Sequence, residues 1–140
     1  MGPSVDIVIP VLNEENSLPG CVMELSGFLE EKLPNNPWRI VIADNGSTDR
    51  TSEIASDLSE ANEEVSWMRI EARGRGRALK QAWLASTADI VAYMDVDLST
   101  DLSSFTDLVR ALDEGSFDLR IGYRLTKGCI VSRRTSKRRI

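Results

Sequence analysis

Short apolar runs alternate with amphipathic stretches along this chain, and the alternation predicts its elements. Residues 5–10, Val-Asp-Ile-Val-Ile-Pro, make a nearly continuous apolar run closed by proline, the pattern of a strand buried on both faces. Asn13, Glu14, Glu15 and Asn16 follow as a polar loop, with Ser17 placed to cap a helix and Pro19 in its first turn. Leu18, Cys21, Val22, Leu25, Phe28 and Leu29 recur at helical spacing until Pro34, Asn35, Asn36 and Pro37 interrupt them. Residues 38–43 read as a second buried strand, and residues 44–49, Asp-Asn-Gly-Ser-Thr-Asp, as a turn that also caps a helix with Ile54, Ala55, Leu58 and Ala61 inward. A third strand is expected over 65–70. A basic glycine loop then leads into a helix carrying Leu79, Ala82 and Trp83 on one side. A fourth strand ends near Met94. The next helix starts near Asp101, turns Leu102, Phe105, Leu108, Val109 and Leu112 inward and stops at Gly115; a fifth strand follows at 117–121. Beyond it the apolar period fades, and a basic helix is expected from near Ser132.

Strands alternating with helices in this way specify an α/β fold, a three-layer αβα sandwich around a mainly parallel, Rossmann-like sheet. Ligands of such sheets bind at the carboxyl ends of the strands. There the fourth strand runs into Asp95-Val96-Asp97, followed by Leu98, Ser99, Thr100 and Asp101. On an extended backbone Asp95 and Asp97 would point the same way. Two carboxylates so close raise each other's pKa unless a cation joins them. A hard ion such as Mg²⁺ accepts one or two carboxylates and leaves its other positions to water and phosphate oxygens. The pair therefore reads as a metal clamp for a phosphorylated ligand, against the plainer reading of solvated acids in a turn. Ser99 is either a third metal oxygen or a turn residue, and Asp101 is a helix cap. Asp44, ending the second strand, either accepts an N–H from a nucleobase or closes the Asp-Asn-Gly turn. Glu14, just past the first strand, either bonds ribose hydroxyls or is a solvated loop acid. Arg75, Arg77 and Lys80 at a helix start either meet phosphate or balance the acidic body.

Composition narrows the chemistry. The chain has no histidine, which removes histidine bases, Ser-His and Cys-His nucleophiles and His-ligated zinc. Cys21 and Cys129 match neither a zinc spacing nor a disulfide framework, so a reducing, cytoplasmic compartment is expected. No signal peptide and no bilayer-length apolar run is visible. The net charge of −5 hides a division: residues 1–118 hold all 22 acids and 9 basic groups, a net of −13, whereas residues 119–140 carry a net of +8. An acidic body argues against nucleic acid, and the basic end suits phosphate or an anionic membrane surface.

Val8-Ile9-Pro10-Val11-Leu12-Asn13-Glu14-Glu15, Ala43-Asp44-Asn45-Gly46-Ser47-Thr48-Asp49 and Met94-Asp95-Val96-Asp97 resemble, in order and spacing, the family 2 glycosyltransferases of GT-A fold. Gly74-Arg75-Gly76-Arg77-Ala78-Leu79 together with residues 95–101 is most similar to the branch of dolichyl-phosphate mannose and glucose synthases, particularly the archaeal ones. The resemblance implies an inverting enzyme that moves a sugar from a UDP- or GDP-sugar to a polyprenyl (dolichyl) phosphate acceptor. It implies Pro10, Glu14, Asp44 and Asp95 at the nucleotide, and Mg²⁺ or Mn²⁺ on Asp95 and Asp97 with Ser99 near the metal. Asp97 and Arg124 would be the catalytic pair; Arg124 stands in Gly122-Tyr123-Arg124, where the family has Ser-Arg, so tyrosine departs from the pattern. Arg133, Arg134 and Arg138 fall where relatives gather charge for the acceptor phosphate. The expected organisation is a nucleotide-sugar domain over 5–121 and the incomplete, basic start of an acceptor-facing region over 122–140. Family members continue further, often into membrane helices, so a truncated chain from a peripheral or membrane-anchored protein is expected. Two alternatives stand beside this one. Asp95-Val96-Asp97-Leu98-Ser99 also resembles the motif of haloacid-dehalogenase-type phosphatases, with Asp95 as nucleophile. A sugar-nucleotide-binding module without turnover is the other.

Overall fold

The computed structural model describes residues 2–71, 74–98, 102–114, 119–122 and 129–133, with residue 75 and the last two segments described through their backbone alone. The elements run β1 (Val5–Val11), α1 (Leu18–Lys32), β2 (Trp38–Asp44), α2 (Thr51–Ala61), β3 (Val65–Arg69), α3 (Arg75–Ala85), β4 (Ile90–Tyr93), α4 (Leu102–Asp113), β5 (Leu119–Gly122) and β6 (Cys129–Arg133). They form one sheet in the order β3-β2-β1-β4-β6-β5. Its first four strands are mutually parallel, and β6 runs antiparallel between β4 and β5.

The apolar runs become strands because β1, at the centre, is covered on both faces and every one of its residues is buried. Alternate side chains separate into two cores. Ile7, Ile9, Val11, Ile40, Ile42, Ile90 and Ala92 pack with the inner stripes of α1 and α4 and with Ala55 of α2. On the other face Val8, Val41 and Ala43 meet Ala78 and Ala82 of α3. This is the expected three-layer α/β arrangement. The stripe of α1 is as its spacing predicts, with Leu18, Cys21, Val22, Leu25 and Leu29 buried. Gly20 and Gly27 weaken that helix by about 1 kcal/mol each. Burying a single leucine returns about 1.5–3 kcal/mol, so Leu18, Leu25 and Leu29 decide the outcome.

Three local expectations are corrected. Ser17 occupies the N-cap position of α1 but makes no side-chain cap bond. Ala61, placed inward by spacing, is exposed on the last turn of α2. The helix expected from near Ser132 does not begin there, since Ser132 and Arg133 belong to strand β6, which pairs Ile90 with Arg133 and Tyr93 with Ile130; residues 134–140 lie outside the described residues. Cys129, Ile130 and Val131 supply it with enough apolar and β-branched character to lie between two strands.

The strand order reverses direction at β1, since β2 and β3 lie to one side and β4 to the other. A crevice at the carboxyl ends of β1 and β4 is the consequence. Proline opens it. Val8 pairs with Tyr93, and the Met94 N–H donates to the Val8 carbonyl at 3.0 Å. The next rung of a parallel ladder would need an N–H from residue 10, which proline lacks, so β1 and β4 part at that level.

Candidate functional site at the β1–β4 switch point

Two loops line one side of this crevice, and side-chain hydrogen bonds knit them together. Asn13 takes a left-handed backbone, φ 53°, which asparagine tolerates better than most residues. Its Oδ1 accepts the N–H groups of Thr48 at 2.8 Å and Asp49 at 3.3 Å, while its own N–H donates to Ser47 Oγ at 2.9 Å. The Glu14 N–H donates to Thr51 Oγ1 at 2.9 Å, and the Arg50 N–H to Glu15 Oε2 at 3.1 Å. The loop after β1 is thereby held against the start of α2, with Glu14 half-buried at the rim and Pro10 buried beneath.

Asp49 completes the join. Its carboxylate accepts from the hydroxyl and the N–H of Thr51 and from the Glu15 N–H. The Thr51 hydroxyl above all, then these backbone donors, hold its carboxyl below the ordinary value of 3.8. A depressed carboxyl stabilises the fold above its unfolded pKa, and the contribution disappears as pH falls through the folded value. Chemical denaturation at about pH 6 and about pH 3 is expected to show a smaller loss of midpoint for Asp49→Asn than for the wild type.

Asp44 lies at the expected edge but has no exposed surface. Its Oδ1 accepts the Ser47 N–H at 2.9 Å, and its Oδ2 accepts from Ser52 Oγ and faces Arg69 Nη1 at 3.5 Å. Of its two expected roles, the turn-closing one is seen directly. Gly46 makes that turn possible at φ 80°, a conformation that costs glycine little. The next residue, Asn45, is only half-buried, yet its Oδ1 is buried and has no protein partner among the described residues. A buried amide oxygen without a donor is costly and marks a place where a ligand N–H would be welcome. Sequence inspection passed over Asn45. Strand parity does not separate it from Asp44, because β2 is buried on both faces: Asn45 is in phase with Val41 and Ala43 as Asp44 is with Ile40 and Ile42.

Asp95 and Asp97 follow β4 at its carboxyl end, though not on an extended backbone. The strand stops at Tyr93, and Asp95–Leu98 is a turn closed by the Leu98 N–H on the Asp95 carbonyl at 3.0 Å. Strand alternation therefore does not set a common direction for them. Leu98 adopts φ 49°, which costs a non-glycine residue roughly 1–2 kcal/mol; its partly buried side chain packs on the larger core and offsets that strain. Asp95 is half-buried and Asp97 exposed. Asp97 stands close enough to α1 for its charge to reach Cys21, whose thiol is pushed up to about 12 by burial, then by Glu24, then by Asp97. That thiol stays protonated and is no nucleophile at neutral pH.

The donor set decides which metal fits. Among the described residues no group of three or more acidic, cysteine or histidine side chains is placed to hold an ion. Two carboxylates alone do not make a protein-only cage. They do fit an ion of the Mg²⁺ or Mn²⁺ type whose remaining positions go to water and substrate phosphates.

Ser99, Arg124, Arg134 and Arg138 lie outside the described residues, and Arg133 is described only as the last backbone position of β6. Arg77 and Lys80 sit exposed near the start of α3, which Gly74 opens at φ 116°. No helix among the described residues is long and apolar enough to cross a membrane. The phosphatase alternative finds its motif after the fourth strand, whereas that class places it after the first.

Known proteins supply an independent comparison. The family profile described as "Glycosyl transferase family 2" matches residues 6–139. The chain is 32% identical over 124 residues to glycosyltransferase AglD of Haloferax volcanii, covering 88% of this chain and 20% of that protein. It is 31% identical over 124 residues to the dolichol-phosphate mannosyltransferase of Pyrococcus furiosus, covering 89% of this chain and 34% of the relative. The chain thus spans a fifth to a third of these curated relatives. In fold it is similar to the mannosyltransferase PcManGT of Pyrobaculum calidifontis, solved with GDP-Man and Mn²⁺, at a TM-score of 0.61 and 24% identity, covering 89% of this chain and 36% of that one.

Proposed function

The chain belongs to glycosyl transferase family 2, and from that premise we propose that it is the donor half of an inverting transferase moving a sugar from a UDP- or GDP-sugar to a polyprenyl phosphate. The observation that supports the proposal is the turn bearing Asp95 and Asp97 at the carboxyl end of β4, the strand beside β1, whose own loop is knitted through Asn13 and Glu14 to the loop after β2. A nucleoside diphosphate has the matching parts in the matching order. Asn45 accepts an N–H from the base edge, and Asp44 serves the base by fixing the turn that bears Asn45. Glu14 receives ribose hydroxyls above Pro10. Asp95 and Asp97, with Ser99, would hold Mg²⁺ or Mn²⁺ on the diphosphate.

When bound, the ion supplies Lewis-acid neutralisation of charge on the departing nucleoside diphosphate. The chain's own groups bind and orient. With no histidine available, an acceptor that is already anionic suits the site, because a lipid phosphate near neutral pH needs no strong general base to attack the anomeric carbon. Arg124 is assigned to the catalytic phosphates and Arg133, Arg134 and Arg138 to the acceptor phosphate. The basic segment is compatible with peripheral docking on an anionic membrane from the cytoplasmic side. The names of relatives support the acceptor class: one is a dolichol-phosphate mannosyltransferase.

Calorimetric titration of GDP-mannose and UDP-glucose, with and without Mn²⁺, tests the donor assignment. One of the two is expected to bind at least about tenfold more tightly with the metal. Equal affinity in all four conditions would remove the assignment. Incubation of the complex with a short polyprenyl phosphate then separates transfer from binding alone.

A further inference from the structure

Asp44 is a fully buried acid that the proposed chemistry never touches, and Arg69 answers its charge. The two residues face one another across the β2–β3 ladder. Arg69 does more than neutralise. Its Nη1 donates to Ser52 Oγ at 2.7 Å and to the Ser47 carbonyl at 3.1 Å, and its Nε donates to Glu71 Oε1 at 2.6 Å. One guanidinium thereby ties the end of β3, the first turn of α2 and the far end of the Asp44–Ser47 turn into a single unit. That turn carries Asn45. Asp44 holds it from below through the Ser47 N–H, and Arg69 holds it from the side through the Ser47 carbonyl. A lysine could keep the charge but not the fork, since one ammonium cannot span Glu71, Ser52 and the carbonyl together.

Resting on the donor reading above, we propose that Arg69 is the positioning residue for base recognition: clamped by Glu71, it sets the Asn45–Gly46 turn in register with the nucleobase and takes no part in holding the diphosphate. Arg69 is partly exposed and Glu71 mostly so, and both stand at the carboxyl end of β3. The base end and the phosphate end of the ligand are then served by separate supports. Damage at Arg69 weakens nucleoside recognition and spares the metal end.

The test is calorimetry of UDP, GDP and inorganic pyrophosphate, each with Mn²⁺, on the 140-residue chain and on Arg69→Lys and Glu71→Gln. In Arg69→Lys the preferred nucleoside diphosphate is expected to bind on the order of tenfold more weakly, with the ratio between UDP and GDP moving toward one. Pyrophosphate affinity is expected to stay within about twofold. Glu71→Gln, exposed and harmless to folding, is expected to weaken the same nucleotide by about two- to threefold. A purely structural role would instead lower all three affinities together. Unchanged UDP and GDP affinities in both variants, or equal losses for pyrophosphate, overturn the inference while the donor reading stands. A wild-type chain that binds neither nucleotide better than pyrophosphate overturns both. Should Arg69→Lys fail to fold, Glu71→Gln decides by the same criterion.

Discussion

Asp97→Ala is expected to lose the metal-dependent part of nucleotide binding, roughly 100-fold in affinity for the Mn²⁺-bound diphosphate, while melting as the wild type does. The two halves of that expectation have different causes. Asp97 is exposed in a turn, so its side chain adds little to stability, within about 0.5 kcal/mol. Its importance comes from the scarcity of alternatives, because among the described residues no third acid is placed to share the ion. A site that relies on two carboxylates cannot spare one. Calorimetry with and without Mn²⁺, paired with a thermal melt, reads both halves. Asp95→Ala should behave alike toward the metal and also destabilise slightly, since Asp95 is half-buried.

The second large effect concerns stability. Asp44→Ala is expected to destabilise the fold by about 2–4 kcal/mol, seen as a lower denaturant midpoint with unchanged slope. Removing one partner of a buried ionic group costs up to about 5 kcal/mol when the remaining charge is wholly enclosed. Here Arg69 is 37% exposed and keeps Glu71, which moves the cost to the lower part of the range. The Ser47 N–H and the Ser52 hydroxyl also lose their acceptor. Asp44→Asn, which keeps the shape and an oxygen, should recover part of the loss. If Asp44→Ala proved neutral, the carboxylate would not be holding the turn that carries Asn45.

Most of the scaffold was legible because its signals are local. The continuous run at residues 5–10 needs cover on both faces, and the 3.6-residue stripes of α1 and α4 supply it on one face and that of α3 on the other. Strand β6 escaped for the opposite reason. It is a strand through its pairing with β4, a partner far away in the sequence, as well as with its neighbour β5, and the basic residues after it suggested a helix instead. At the site, Asp95 and Asp97 declared themselves as a pair after a buried strand. Their backbone did not, because a leucine at positive φ in Leu98 is dictated by packing and by no local propensity. Asn13 was visible only as a polar loop residue. Its role in joining two loops depends on Thr48 and Asp49, which the fold brings to it from 35 and 36 positions away. Strand parity could not choose between Asp44 and Asn45, because both faces of β2 are buried; the hydrogen bonds that Ser47, Ser52 and Arg69 bring to Asp44 separate them.

The central claim is that a divalent ion joins Asp95 and Asp97 to the diphosphate of an activated sugar at the β1–β4 crevice. Anomalous diffraction at the manganese edge, from crystals grown with Mn²⁺ and the tighter-binding nucleoside diphosphate, measures this directly. The expected result is a manganese peak about 2 Å from a carboxylate oxygen of Asp95 or Asp97 and from a diphosphate oxygen. A bound diphosphate whose manganese touches neither aspartate would contradict it.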